Sequence, residues 1–153
     1  MIFLDMDGVV ANFWKYVRET HKPIIKGKRD WSSMGRDWWA SVPPFEGCRE
    51  FYLALKELAS VTILTGAIGN PGCHSGKCDW LIQHLYDGVD TAIQDAIICN
   101  KKHKYLLAAP DRILIDDNDR MVREWREAGG IAIQHYGIYK DTLEKVRGVF
   151  DGV

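Results

Sequence analysis

Short apolar runs alternate with segments of helical period along this chain. Met1 to Leu4 is apolar, and Ile2 to Asp5 reads as a strand buried on both faces, as parallel-sheet strands are. Asp5 and Asp7 stand at its carboxyl end, and Gly8 then lets the chain turn. Asn12 is placed to cap a helix running to about His21, with Phe13 and Val17 inward and Trp14 a further candidate for that face. Cys48, Phe51, Tyr52, Leu55, Leu58 and Ala59 fall on one face of a second helix. Val61 to Leu64 reads as a second buried strand, ending in Thr65-Gly66. Asp79 to Tyr86 reads as a short helix burying Trp80, Leu81 and either His84 or Leu85. A third strand lies between Val89 and Cys99, where Thr91 to Gln94 and Ala96 to Cys99 both qualify. Lys101, Lys102 and Lys104 open a short helix through Leu107, stopped by Pro110. Ile113 to Ile115 is a fourth strand ending in Asp116-Asp117. Asn118 or Asp119 caps a helix with Met121, Val122, Trp125 and Ala128 inward, and Gly129-Gly130 stops it. Ile131 to Ile133 is a fifth strand, and Asp141 caps a last helix with Glu144 three residues on.

This alternation predicts an α/β fold, with a parallel sheet and helices on both faces. Two stretches break the rhythm. The segment from Pro23 to Pro44 holds a basic cluster (Lys26, Lys28, Arg29) and three tryptophans (Trp31, Trp38, Trp39). It is too long for a simple connection, so it reads as a small insertion with short helices, at about 23–44 within a single domain of 1–153. The glycine-rich loop from Ala67 to Lys77 resembles a phosphate-binding P-loop only superficially. Pro71 stands where the first glycine is needed, and Cys78 replaces the hydroxyl residue that would hold magnesium.

A chain of 153 residues fits one domain with its own core. The net charge of −1 argues against a large phosphate-backbone footprint, and so against a long nucleic acid as main partner. No apolar run reaches the ~20 residues of a membrane span. The first strand begins at once, leaving no room for a signal peptide, so a cytoplasmic location is expected, with reduced cysteines. Cys73, His74 and Cys78 lie close together, but no second ligand pair at finger-like spacing accompanies them.

Polar features recur at the carboxyl ends of successive strands, where open α/β sheets bind ligands. They are Asp5 with Asp7, then Thr65, then a lysine, then Asp116 with Asp117. Carboxylates brought together repel unless a hard cation lies between them, and all-oxygen ligands select magnesium. A hydroxyl and an ammonium supply donors for phosphate oxygens. Of two neighbouring carboxylates, one can act as nucleophile while the other carries a proton.

DMDGVVANF, LTG, a following lysine and ILIDD resemble, in order and across the whole chain, the four motifs of the haloacid dehalogenase (HAD) superfamily of phosphohydrolases. The DMDGV start and the LIDD end look most like the 5'(3')-deoxyribonucleotidase group and its small phage and bacterial relatives. The resemblance implies a three-layer Rossmann-like fold with strand order 5-4-1-2-3 and a small cap after the first strand. It implies a magnesium-dependent phosphomonoester hydrolase, with Asp5 as nucleophile forming an aspartyl-phosphate and Asp7 as general acid and base. Magnesium would bind the Asp5 carboxylate, the Asp7 carbonyl and Asp116, with Asp117 close by. Thr65 and the Gly66 amide would hold the phosphate. Lys104, favoured over Lys101 and Lys102 by its helix-start position and its distance to Asp116, would neutralise nucleophile and phosphate.

The expected substrate is a small phosphomonoester, of the nucleoside monophosphate class, taken by a monomer or homodimer. Sugar phosphates and polynucleotide 3' ends are the alternatives among enzymes. A non-catalytic nucleotide-binding module and a receiver are the alternatives of another class. In a receiver the phosphorylated acid ends the third strand, whereas here the second acid pair ends the fourth. Trp38 or Trp39, adjacent and so about 100° apart on a helix, is the expected stacker on a base, with Arg36 or the Lys26–Arg29 cluster adding charge at the mouth.

Overall fold

Ile2, Phe3 and Leu4 are all buried, and they form the central strand of the molecule. In chain order the elements of the computed structural model are β1 (Ile2–Leu4), α1 (Phe13–Glu19), β2 (Ile24–Ile25), β3 (Lys28–Arg29), α2 (Arg36–Ala40), α3 (Cys48–Leu58), β4 (Val61–Gly66) and α4 (Pro71–His84). There follow β5 (Ala96–Cys99), a 3₁₀ helix (Lys101–Leu107), β6 (Ile113–Asp116), α5 (Asp119–Glu127), β7 (Ile131–Gln134) and α6 (Tyr139–Asp151). The structure describes residues 1–20, 24–25, 28–31, 33–86 and 95–152. Pro23, Lys26, Val89 and the alternative strand Thr91 to Gln94 lie outside the described residues.

Five strands form one parallel sheet in the order β5-β4-β1-β6-β7. Ile2 stands level with Val61 on one side and with Ile113 on the other, so three acid- or hydroxyl-bearing strand ends come out on one edge. Alternation of side chains along a strand splits the core into two layers. Ile2 and Leu4 join Phe51, Tyr52, Leu55, Trp80 and Val146 on the face covered by α3, α4 and α6. Phe3 joins Leu64, Leu114, Met121, Val122 and Trp125 on the face covered by α5. The inserted segment contributes the β2–β3 antiparallel pair and α2, and α2 lies directly on α4. Among the described residues no helix is long and apolar enough to cross a membrane.

The structure revises several boundaries. The stretch read as a glycine-rich loop is mostly helix: α4 starts at Pro71, and Asn70 caps it by accepting a hydrogen bond from Gly72 N at 2.8 Å. Proline at the first helical position supplies the preset φ a helix start needs. The glycines serve close packing, since a Cβ on Gly76 would overlap the Arg36 carbonyl and the Trp39 side chain of α2. Trp14, a candidate for the inner face of α1, is 53% exposed. Asn12 occupies the cap position of α1 without a side-chain hydrogen bond, and that helix ends at Glu19. Ala128 is exposed, because α5 has already ended at Glu127. Asp141 lies inside the first turn of α6, with Ile138 at the cap position. The 3₁₀ helix ends at Leu107, ahead of Pro110.

Candidate active site

The turn after β1 sets the two leading acids. Val10 N and Ala11 N both donate to Met6 O, at 3.0 and 2.9 Å, and Gly8 takes φ +84°, a conformation that costs a glycine nothing. Asp5 is buried at the strand end, and Asp7 lies two residues further out with its side chain 25% exposed. β6 delivers Asp116 and Asp117 beside them. Asp5, Asp116 and Asp117 each present a carboxylate oxygen, all within 4.8 Å of one another. Burial first, then the neighbouring acids, push Asp116 above the usual carboxylate range and Asp117 up to about 7. Three oxygen donors whose charges oppose one another match the needs of a hard divalent cation, so this cluster is where a metal could be held.

Lys104 is the cation that the structure does bring to these acids. It is buried, and its Nζ donates to Asp5 Oδ1 at 2.7 Å and to Asp116 Oδ2 at 2.8 Å. Burial alone would lower its pKa, but Asp5 and Asp116 outweigh that and hold the ammonium above its usual range. Lys101 and Lys102 are exposed. Asp116 Oδ1 also accepts from Asn118 N at 2.9 Å, which orients the carboxylate.

A second buried lysine was not anticipated. Lys77 of α4 donates from Nζ to Asp7 Oδ2 at 2.6 Å and to Thr65 Oγ1 at 2.7 Å. Thr65 is fully buried and meets Lys77, whereas its neighbour Gly66 lines the open pocket. Asp7 Oδ1 is buried and has no hydrogen-bond partner. Burial raises the Asp7 carboxyl above its ordinary range, against the opposing pull of Lys77. The signal for Lys77 was present in the sequence. A helix begun at Pro71 puts Lys77 three and four residues before Trp80 and Leu81, on their buried face.

These groups floor a pocket of about 450 Å³. Asp5, Asp7, Lys104, Asp116 and Asp117 line it together with the β4 exit from Gly66 to Gly69, and Asn100 and Lys101 stand on one side. Phe13, Trp14, Trp31 and Trp39, whose rings cluster around Phe13, give the pocket an aromatic wall. Trp39 lines the pocket but is only 3% exposed, stacked on Phe13 at 5.6 Å with Nε1 donating to Met34 O. Trp38 is not among the lining residues; its Nε1 donates to Thr20 Oγ1 at 3.2 Å and its ring leans on Tyr16. Arg36 is not there either, being turned to Asp79, with Nη2 to Oδ1 at 2.7 Å. Of these rings Trp14 is half-exposed, and sequence reasoning did not single it out for the site. Cys73 is buried in α4, and among the described residues no metal-capable cluster includes Cys73, His74 or Cys78.

No protein-family model matches the chain, and no curated protein matches it significantly. Among solved structures, a chain from "Structure of Pnkp1/Rnl/Hen1 complex" superposes with a TM-score of 0.52 at 15% sequence identity. The match covers 88% of this chain and 45% of that one, so this chain spans less than half its length. At that identity the likeness shows an α/β fold of the same kind.

Proposed function

We propose that this chain is a magnesium-dependent phosphomonoesterase of the HAD type, working through an aspartyl-phosphate and acting on nucleoside monophosphates. The observation that carries the reading is the convergence of Asp5, Asp7, Lys104, Asp116 and Asp117 on one pocket floor. The sheet order supports it: numbered within the sheet alone, the five strands run 5-4-1-2-3, the order that the sequence resemblance implies. The aromatic wall supports the substrate class, since a flat base stacks on exposed indole and the phosphate is left to reach the floor.

The chemistry follows from the side chains. The Asp5 carboxylate attacks phosphorus, forming a new P–O bond as the bond to the ester oxygen breaks. Asp7 gives its proton to that departing oxygen. It then takes a proton from water, which attacks the aspartyl-phosphate and releases inorganic phosphate and free Asp5. Lys104 pairs with Asp5 and offers positive charge to the phosphoryl oxygens, and Gly66 offers its amide beside them. Magnesium on Asp5, Asp116, Asp117 and the Asp7 carbonyl would supply further positive charge against the phosphate. Thr65 serves this site through its bond to Lys77.

The test is phosphate release over a panel of nucleoside monophosphates and sugar phosphates, with magnesium and with chelator. The expected result is turnover of nucleoside monophosphates that chelator stops. An absence of magnesium-dependent turnover across the panel would sink the reading, and a preference for sugar phosphates would overturn the substrate class.

A further inference from the structure

Lys77 has no task in the steps above, yet the fold spends much on it. It is fully buried, and burying an ammonium is costly unless it is paired and hydrogen-bonded. Both demands are met from the site itself, by Asp7 Oδ2 and Thr65 Oγ1. Trp39 of the insertion lies over the ammonium, 5.6 Å from ring centroid to Nζ. Gly76, the residue before it, lets α4 approach α2 closely, which brings Lys77 and Trp39 together.

We propose that Lys77 is a positioning residue: it holds the Asp7 carboxylate by Oδ2 in the orientation that serves the departing oxygen of the substrate, while Trp39 covers the lysine ammonium. The proposal rests on the phosphomonoesterase reading. Its geometry is a division of labour. Lys104, from the 3₁₀ helix, serves Asp5 and Asp116, and Lys77, from α4 across the site, serves Asp7 alone among the acids. Asp7 stands on a turn, three residues beyond the strand, where its carboxylate needs an anchor to keep one rotamer. A lysine fixed at once to a helix and to a β4 hydroxyl supplies it. Stability alone does not account for the pair, since buried ion pairs add little net stability over an apolar replacement.

The test compares two substrates by kcat/KM, which ends at formation of the aspartyl-phosphate. Glycerol phosphate leaves as an alkoxide that needs a proton, and p-nitrophenyl phosphate leaves as a phenolate that hardly does. Lys77→Met should lower kcat/KM for glycerol phosphate by about 10²-fold and shift the ratio of the two substrates by at least about tenfold. In an Asp7→Asn background, the same substitution should change the rate on p-nitrophenyl phosphate by less than about threefold. That double variant removes both charges, leaves no buried ion unpaired, and folds even where the single variant does not. Should Lys77→Met fail to fold, Lys77→Gln carries the first comparison. Equal losses on both substrates, or a further large loss in the Asp7→Asn background, would overturn the positioning role while leaving the phosphatase reading intact. A wild-type protein inactive on both substrates would overturn both.

Discussion

Gly8 faces the Asp117 carboxylate so closely that a Cβ on Gly8 would overlap Asp117 Oδ2. The same residue holds φ +84°. The turn that carries Asp7 and the strand end that carries Asp117 are thus fitted to one another through a missing side chain. Gly8→Ala should cost about 1–2 kcal/mol of stability from its left-handed backbone and should also displace Asp117. Gly129 provides the control: it has φ +88° with nothing within 4 Å of a Cβ. Melting temperatures of Gly8→Ala and Gly129→Ala should fall by similar amounts, while phosphate release falls by roughly 10²-fold in Gly8→Ala alone. Full activity in Gly8→Ala would show that Asp117 has no need of its position.

The aromatic wall predicts where the base is read. Trp14 is half-exposed, lines the pocket and meets Phe13 edge-on at 5.0 Å, so its removal leaves the core in place. Trp14→Ala should raise KM for a nucleoside monophosphate roughly tenfold and leave KM for ring-free glycerol phosphate nearly unchanged. Trp38→Ala should instead lower the melting temperature, because that ring joins Thr20, Tyr16 and Phe13. Steady-state kinetics on both substrates, with a thermal melt of each variant, separates the two roles.

Much of this was legible in the chain itself. The five parallel strands follow from short, largely apolar runs, several with polar residues at their carboxyl ends, and those ends meet because the strands share one register. Asp5, Asp7, Asp116 and Asp117 needed only that register to be found. The 67–77 stretch was misread because Gly72 and Gly76 have low helix propensity and look like loop residues. Their reason is tertiary: α2 lies against them. Losing that helix start hid Lys77, whose buried face is apparent only once the helix begins at Pro71. Trp38 and Trp39 were natural candidates for stacking, because adjacent indoles on a short helix point apart. Which face was already filled depended on Phe13 and Thr20, residues remote in sequence.

His135 predicts a pH dependence of stability away from the site. It is buried beside the stacked rings of Phe51 and Tyr139 and bonded to Thr142 Oγ1 at 2.8 Å. Burial first, then the charge of Lys145, depress its pKa below the ordinary value. The folded state therefore binds its proton less readily than the unfolded chain, so stability is lost as pH falls below the unfolded value of ~6.5. Between pH 7.5 and 5.5 the wild-type melting temperature should fall relative to that of His135→Leu, while the raised Asp116 and Asp117 carboxyls act in the opposite sense in both proteins. An identical slope in both proteins would remove His135 from the account.

The central claim is that Asp5 becomes covalently phosphorylated, and acid-quench mass mapping reads this directly. Asp7→Asn, incubated with magnesium and p-nitrophenyl phosphate, should accumulate the intermediate, because the leaving phenolate needs little proton donation while hydrolysis lacks its base. The expected result is one phosphoryl group per chain, on Asp5 of the N-terminal peptide, absent when Asp5 is changed to Asn. Turnover with no phosphoryl group on Asp5, or with the group on another residue, would contradict the account.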